Sequence, residues 1–168
     1  VPGQTLFGKR RAYQRNVAYA EVDYPVEHEG NSQGSDEEVA AIAKVVAELT
    51  GRTLTDDNSQ TKGKLKAETG IILVTPYNMQ VRKLKKALPA GIRVASVDKF
   101  QGQEAPVVII SMCASPGEFG SRGMQFVLDR NRLNVAISRA QSLAVVVGDP
   151  RLAECDCGSI EDMRRVNL

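Results

Sequence analysis

The sequence predicts an α/β fold, with a mostly parallel β-sheet flanked by helices. Three observations lead there. The runs Ile71–Val74, Val107–Met112 and Leu143–Gly148 are apolar almost throughout, as strands covered on both faces must be. Segments with helical spacing lie between and before them: Ser35 to Gly51, the stretch after Pro76 to about Leu88, and Arg130–Ala140. At 168 residues the chain suits one domain with one core.

In order, Pro2 and Gly3 open an N-terminal arm, residues 1–21, that carries Lys9, Arg10, Arg11 and Arg15. This arm reads as a solvated linker, with nucleic-acid contact the sharper alternative. Around Val22–Val26 the β-branched content predicts a strand. Ser35, Asp36, Glu37 and Glu38 form a capping-box pattern, with Ser35 as N-cap and Glu38 three residues on. The three acids also suit the positive end of the helix dipole. Val39, Ile42, Ala43, Val46 and Leu49 follow at helical spacing, and Gly51 ends the run. Residues 52–69 show no periodicity and read as a mobile surface insertion. After the strand Ile71–Val74, a helix runs to about Leu88 with Met79, Leu84 and Leu88 inward and Arg82, Lys83, Lys85 and Lys86 outward; Pro89 stops it. Val94–Val97 is a third strand, Asp98–Glu104 a polar turn or short helix, Val107–Met112 a fourth strand, and Ser115–Gly123 a loop. The helix Arg130–Ala140 sets Leu133, Ala136, Ile137 and Ala140 on one side, and a fifth strand, Leu143–Gly148, closes at Asp149-Pro150. The domain proper is predicted over 22–150, with 151–168 a C-terminal tail.

Composition narrows the function classes. Hydrophobic residues make up 42% and charged residues 25%, ordinary values for a globular domain. A net charge of +2 leaves any polyanion site to local clustering. Three cysteines without zinc-type spacing fit a reducing, cytoplasmic setting. No apolar run approaches the ~20 residues that span a bilayer. The chain opens at Val1 and not Met, which suggests a piece excised from a longer protein. His28 is the single histidine, between Glu27 and Glu29, and reads as a surface residue. Cys155 and Cys157 form a C-x-C pair that falls short of a four-ligand zinc site, so no metal site is expected.

Three stretches carry chemistry. Thr75-Pro76-Tyr77-Asn78-Met79-Gln80 follows a buried strand; its hydroxyls, amide and ring suit hydrogen bonding and stacking on a nucleic-acid chain. Taken alone, the stretch is better explained by a plain strand-to-helix turn, with Thr75 as N-cap and Pro76 as the first helical residue. Ser96 to Glu104 contains Gly102, which lets a backbone approach a ligand closely, Gln101 and Gln103 as donors, and Glu104 as an acceptor for a ribose. Its alternative is a polar loop with Phe100 tucked into the core. Arg132 and Arg139 lie seven positions apart on one helix face, and an arginine so held can meet a developing phosphate charge. Two solvated arginines on an amphipathic helix are the alternative. Functional loops of open parallel sheets gather at the C-terminal strand edge, and all three stretches are expected there.

The order and spacing of Thr75-Pro76-Tyr77-x-x-Gln80, then Val97-Asp98-x-Phe100-Gln101-Gly102-x-Glu104, then Arg132-Leu133-Asn134-Val135-Ala136-x-Ser138-Arg139-Ala140 resemble motifs IV, V and VI of superfamily 1 helicases. The subclass with the nonsense-mediated-decay helicase and the nuclease-helicase of Okazaki-fragment processing is the most similar. The run Val97–Val108 looks closer still to bacterial proteins that join a RecB-like nuclease to such a helicase. The resemblance implies the second RecA-like domain of a P-loop NTPase motor, an ATP-dependent helicase acting with ATP and Mg²⁺. It implies Arg139 as the arginine finger on the γ-phosphate, Gln101 and Gly102 near the phosphates, and Glu104 near the ribose or phosphates. Thr75, Tyr77, Ser96 and Lys99 would lie near the nucleic-acid track. Ser138 stands where threonine is common, and Gln141 where a basic residue is frequent.

No G-x-x-x-x-G-K-[ST] loop and no acidic strand end of the Walker B type occurs in the chain. The resemblance therefore implies that a first RecA-like domain supplies the phosphate cradle and the Mg²⁺ carboxylate, and that this chain alone is inactive. The implied partners are that domain, single-stranded nucleic acid with DNA favoured over RNA, and a fused nuclease. The rivals are a non-catalytic RecA-like binding or docking module, and another nucleotide enzyme such as a kinase, which the absent phosphate loop opposes.

Overall fold

The structure, a computed structural model, describes residues 30–55, 60–100, 102–115, 123–149 and 151–152. Within them lie helix α1 (Asp36–Leu49), a hairpin β1 (Thr53–Thr55) and β2 (Thr61–Lys64), helix α2 (Ala67–Gly70), strand β3 (Ile71–Val74), helix α3 (Asn78–Ala87), strand β4 (Arg93–Ala95), a 3₁₀ helix (Val97–Phe100), strand β5 (Ala105–Ser111), helices α4 (Gly123–Val127) and α5 (Arg130–Ser138), and strand β6 (Ala140–Val147). Strands β4-β3-β5-β6 form one sheet in that order, every pair parallel. The α/β fold with a parallel sheet flanked by helices, of the RecA-like kind, is thus present. The expected strand at Val22–Val26, the basic arm, His28, Cys155 and Cys157 lie outside the described residues.

The sheet is buried on both faces, and the side-chain period of two divides its residues cleanly. Ile71, Leu73, Val107, Ile109, Val145 and Val147 pack with Ile42, Val46 and Leu84 of α1 and α3. Ile72, Val74, Val108, Ile110 and Ala144 pack on the other face with Phe100, Val127 and Ala136. Fully burying residues such as Ile42 and Leu84, both 0% exposed, contributes roughly 1.5–3 kcal/mol each.

Helix α1 starts as expected. The Ser35 hydroxyl accepts from the Glu38 amide at 3.0 Å, and at the far end Gly51, with φ +83, takes the left-handed turn after Thr50. The reciprocal half of the capping box is absent. The Ser35 amide donates instead to Gln80 Oε1 at 2.9 Å, and the Glu38 carboxylate turns inward.

Several expectations are corrected. Residues 52–69 are not structureless: β1 and β2 pair antiparallel, and Leu65, 3% exposed, plugs the insertion into the core. Met79 is 51% exposed and not inward; Gln80 takes the buried position. Thr75 does not cap α3, whose N-cap is Tyr77 without a side-chain bond. Helix α5 stops at Ser138, because Ala140 already pairs with Ala105 as the first residue of β6. Val97 belongs to the 3₁₀ helix and not to β4. Helix α4 starts at Gly123, where the expected loop ends, in a stretch for which the sequence predicts no element.

Candidate functional site

The parallel sheet has two edges, and the predicted residues divide between them. At the C-terminal edge, the ends of β3, β4 and β5 border a cleft of about 200 Å³. Thr75, Asn78, Ser96 and Arg132 supply its polar lining, and Met112 and Phe126 are among its apolar walls. Helix α5 begins here: Asp129 caps it, its carboxylate accepting from the Arg132 amide at 2.9 Å. The Arg132 guanidinium lies over the Phe126 ring, 4.3 Å from its centroid, a cation–π arrangement that orients it.

Burial changes what two of the predicted residues can do. Tyr77 is 5% exposed, with its ring against Phe126 at 5.3 Å between centroids, so it backs the Phe126 wall and offers no free stacking face. Thr75 is 0% exposed, and its hydroxyl lies 3.4 Å from Cys113 Sγ in hydrogen-bond contact. Ser96 is half-buried on the cleft, and Lys99 is exposed on the 3₁₀ helix that leaves it.

Gly102, Glu104 and Arg139 sit elsewhere. The Arg139 carbonyl accepts from the Ala105 amide at 3.1 Å, and Ala105 is the first residue of β5. These three therefore lie together at the N-terminal edge of the sheet, which corrects the expectation that all three stretches gather at the C-terminal edge. The reason is directional. A crossover helix starts where one parallel strand ends and must return to where the next begins, so α5 carries Arg132 at one edge and Arg139 at the other. Gly102 has φ +79, and nothing stands within 4 Å of where a Cβ would be. Glu104 is exposed. Arg139 is half-buried, and its Nε is a buried donor without a hydrogen-bond partner. Gln101 lies outside the described residues.

Two struts join the edges. One is α5, nine residues and so about 14 Å long. The other is the segment from Ser96 through the 3₁₀ helix to Glu104, closed by Lys99 N donating to Ser96 O at 3.1 Å and Gln103 N to Phe100 O at 3.0 Å. Phe100, 5% exposed, pins it to the same face of the sheet as Ala136 of α5.

The C-terminal edge is fastened from behind by a buried polar cluster that the motifs did not disclose. Glu38, 0% exposed, accepts from Ser111 Oγ at 2.6 Å and from the Cys113 amide at 2.9 and 3.0 Å. Gln80 Nε2 donates to Ser111 Oγ at 2.9 Å and to the Ser35 carbonyl at 3.2 Å. Cys113 is held at φ +50, the only left-handed non-glycine residue among those described. Burial pushes its thiol pKa up to about 12, with the nearby Glu38 charge adding to the rise against a lowering hydrogen bond from Thr75.

With this geometry in view, comparison with known proteins decides the family. The AAA domain family matches residues 8–151. The chain belongs to that family. Its relatives place this AAA domain among helicase-type domains of superfamily 1. The AAA domain is 30% identical to the human 3'-5' exoribonuclease HELZ2, over 89% of this chain and 5% of that protein. It is 36% identical to the DNA polymerase alpha-associated DNA helicase A of Saccharomyces cerevisiae, over 55% of this chain and 14% of that protein. Against the putative helicase MOV-10 of Gallus gallus the identity is 37%, over 53% of this chain and 11% of that protein. The chain thus spans a small part of the length of the relatives it matches. They are animal and fungal proteins, so they do not bear out a bacterial nuclease-helicase fusion as the nearest kin. Among the described residues no helix is long and apolar enough to cross a membrane.

Proposed function

We propose that this AAA domain is the second motor domain of an ATP-dependent helicase, with its two sheet edges divided between two ligands. The carrying observation is that division. Gly102, Glu104 and Arg139 share the N-terminal edge, while Thr75, Ser96 and Arg132 line the cleft at the C-terminal edge. On this reading the N-terminal edge faces the triphosphate bound by a first RecA-like domain elsewhere in the natural protein, and the cleft edge bears on a single nucleic-acid strand.

The residues at the N-terminal edge fit a triphosphate. An orphaned guanidinium Nε favours an incoming anion, and the open backbone at Gly102 permits close approach. ATP supplies the phosphoanhydride bond whose cleavage drives the motor, with Mg²⁺ held by carboxylates of the first domain. Arg139 would pair with the γ-phosphate as an arginine finger, Gly102 would lie along the phosphates, with Gln101 expected beside it, and Glu104 would accept from the ribose. Because α5 and the Ser96–Glu104 segment each reach both edges, a shift at Arg139 or Gly102 moves Arg132 or Ser96 as well. That is a direct physical route from nucleotide state to grip. Ser96, Lys99, Asn78 and Arg132 supply the donors for a strand backbone, with Thr75 and Tyr77 shaping the wall beneath them.

The track is single-stranded nucleic acid. The names of the relatives mention an exoribonuclease and a DNA helicase, which gives no support to the DNA preference expected from the sequence. ATP hydrolysis by the natural protein, measured with and without single-stranded RNA and DNA, tests the reading. Stimulation by single strands, with no turnover by residues 1–168 alone, is expected. Steady hydrolysis by the 168-residue chain alone would contradict it.

A further inference from the structure

We infer that Glu38 is a positioning residue for the strand-gripping edge: its buried carboxylate clamps the left-handed turn at Cys113 and thereby sets the wall of the cleft. The inference rests on the proposed nucleic-acid reading of that edge. Glu38 occupies the helix position whose carboxylate ordinarily reaches back to the N-cap amide. Gln80 Oε1 takes that amide instead, which releases Glu38 to reach across to the end of β5. There the carboxylate accepts two bonds from a single amide, Cys113 N, and a third from Ser111 Oγ.

A carboxylate fully removed from water is retained at large cost unless it is densely hydrogen-bonded, and an ordinary cap would have left it at the surface. The turn it holds is one that residues other than glycine seldom adopt. Met112, on one side of Cys113, is a wall of the cleft, and Thr75, bonded to the Cys113 thiol, is another. The neighbouring Ser115 is tied down as well: its amide donates to the Asn31 carbonyl at 2.7 Å, and its hydroxyl accepts from the Asn31 amide at 3.0 Å. None of these contacts touches the N-terminal edge, so Glu38 acts on one ligand and not on the other.

Glu38→Gln in the natural protein tests this. The amide replaces one acceptor oxygen with a donor, so the two-oxygen charged clamp on Cys113 N becomes a single neutral bond whose oxygen is shared with Ser111. The concentration of single-stranded RNA or DNA giving half-maximal ATP hydrolysis is expected to rise about tenfold, the difference between a charge-assisted and a neutral hydrogen bond. The KM for ATP and the rate at saturating strand should stay within about twofold. Ser111→Ala, which keeps the Cys113 clamp, should leave the strand constant nearly unchanged. A Glu38→Gln protein whose loss falls on ATP KM or on the saturated rate, with an unaltered strand constant, would overturn the inference. Hydrogen exchange of the unmodified protein gives a reading that needs no variant: the Cys113 amide should be far slower than those of Gly102 and Gln103, and comparable rates would remove the clamp. If the unmodified protein binds no strand and hydrolyses no ATP, the helicase reading itself fails, whatever exchange shows at Cys113.

Discussion

Replacing Arg139 with alanine separates a motor arginine from a structural one, because the two effects point in opposite directions. Arg139 Nε is buried without a partner, and an unsatisfied buried donor costs about 1–3 kcal/mol. Truncation removes that cost. It also removes the packing of the half-buried aliphatic stem, an opposing loss of about 1 kcal/mol. The fold should therefore not be weakened, its unfolding free energy changing by between about 0 and +2 kcal/mol. Activity should not be indifferent. An arginine finger contributes roughly 10³–10⁵ in rate, about 4–7 kcal/mol of transition-state stabilisation. In the natural protein, strand-stimulated ATP hydrolysis should fall by that factor while the affinity for a non-hydrolysable ATP analogue changes little. Urea unfolding and single-turnover hydrolysis together give both readings. Turnover within about tenfold of the unmodified rate would refute the reasoning, as would lost nucleotide affinity with normal hydrolysis of the bound fraction.

The remaining predictions concern Cys113. Its thiol is held protonated, with a folded pKa of about 12 against an ordinary value of 9.0, so the folded state binds the proton more tightly than the unfolded chain. The stability this contributes is fully present below pH 9.0 and is lost as pH climbs toward 12. The resistance of the unmodified protein to chemical denaturation should therefore fall across that window, more steeply than for Cys113→Ala. At pH 8 the same thiol should resist alkylation in the folded protein and react after denaturation, as mass spectrometry of the Cys113 peptide would report. Rapid labelling of folded protein would contradict the burial that fixes this turn.

Much of the fold was legible because its signals are local. Ile71–Val74 and Val107–Ile110 are apolar at successive positions, which a strand covered on both faces requires. The Ser35 cap and Gly51 stop bracket α1 as their chemistry dictates. The hairpin was hidden because Thr61–Lys64 is exposed at every position and so shows no alternation. Helical spacing placed Met79 inward, but Gln80 is drawn into the core by three hydrogen bonds that no periodicity reveals. Of the candidate site, the motif residues could be named from the sequence, while their division between two edges could not. Periodicity reports which face a residue occupies and is silent on which end of a strand it stands near. Glu38 was legible as a cap and not as a clamp, because its partners Ser111 and Cys113 lie 73 and 75 residues away in sequence. Phe126, which carries Arg132, sits close to a Gly-rich stretch with no periodic signal of its own.

The central claim is that the N-terminal sheet edge, and not the cleft edge, meets the nucleotide. A structure of the natural protein with ADP, Mg²⁺ and aluminium fluoride tests it most directly. The account predicts the Arg139 guanidinium within hydrogen-bond distance of the fluoride group, Gly102 beside the phosphates, and the cleft bordered by Ser96 and Arg132 free of nucleotide. Nucleotide seated in that cleft, or Arg139 turned away from the analogue, would contradict it.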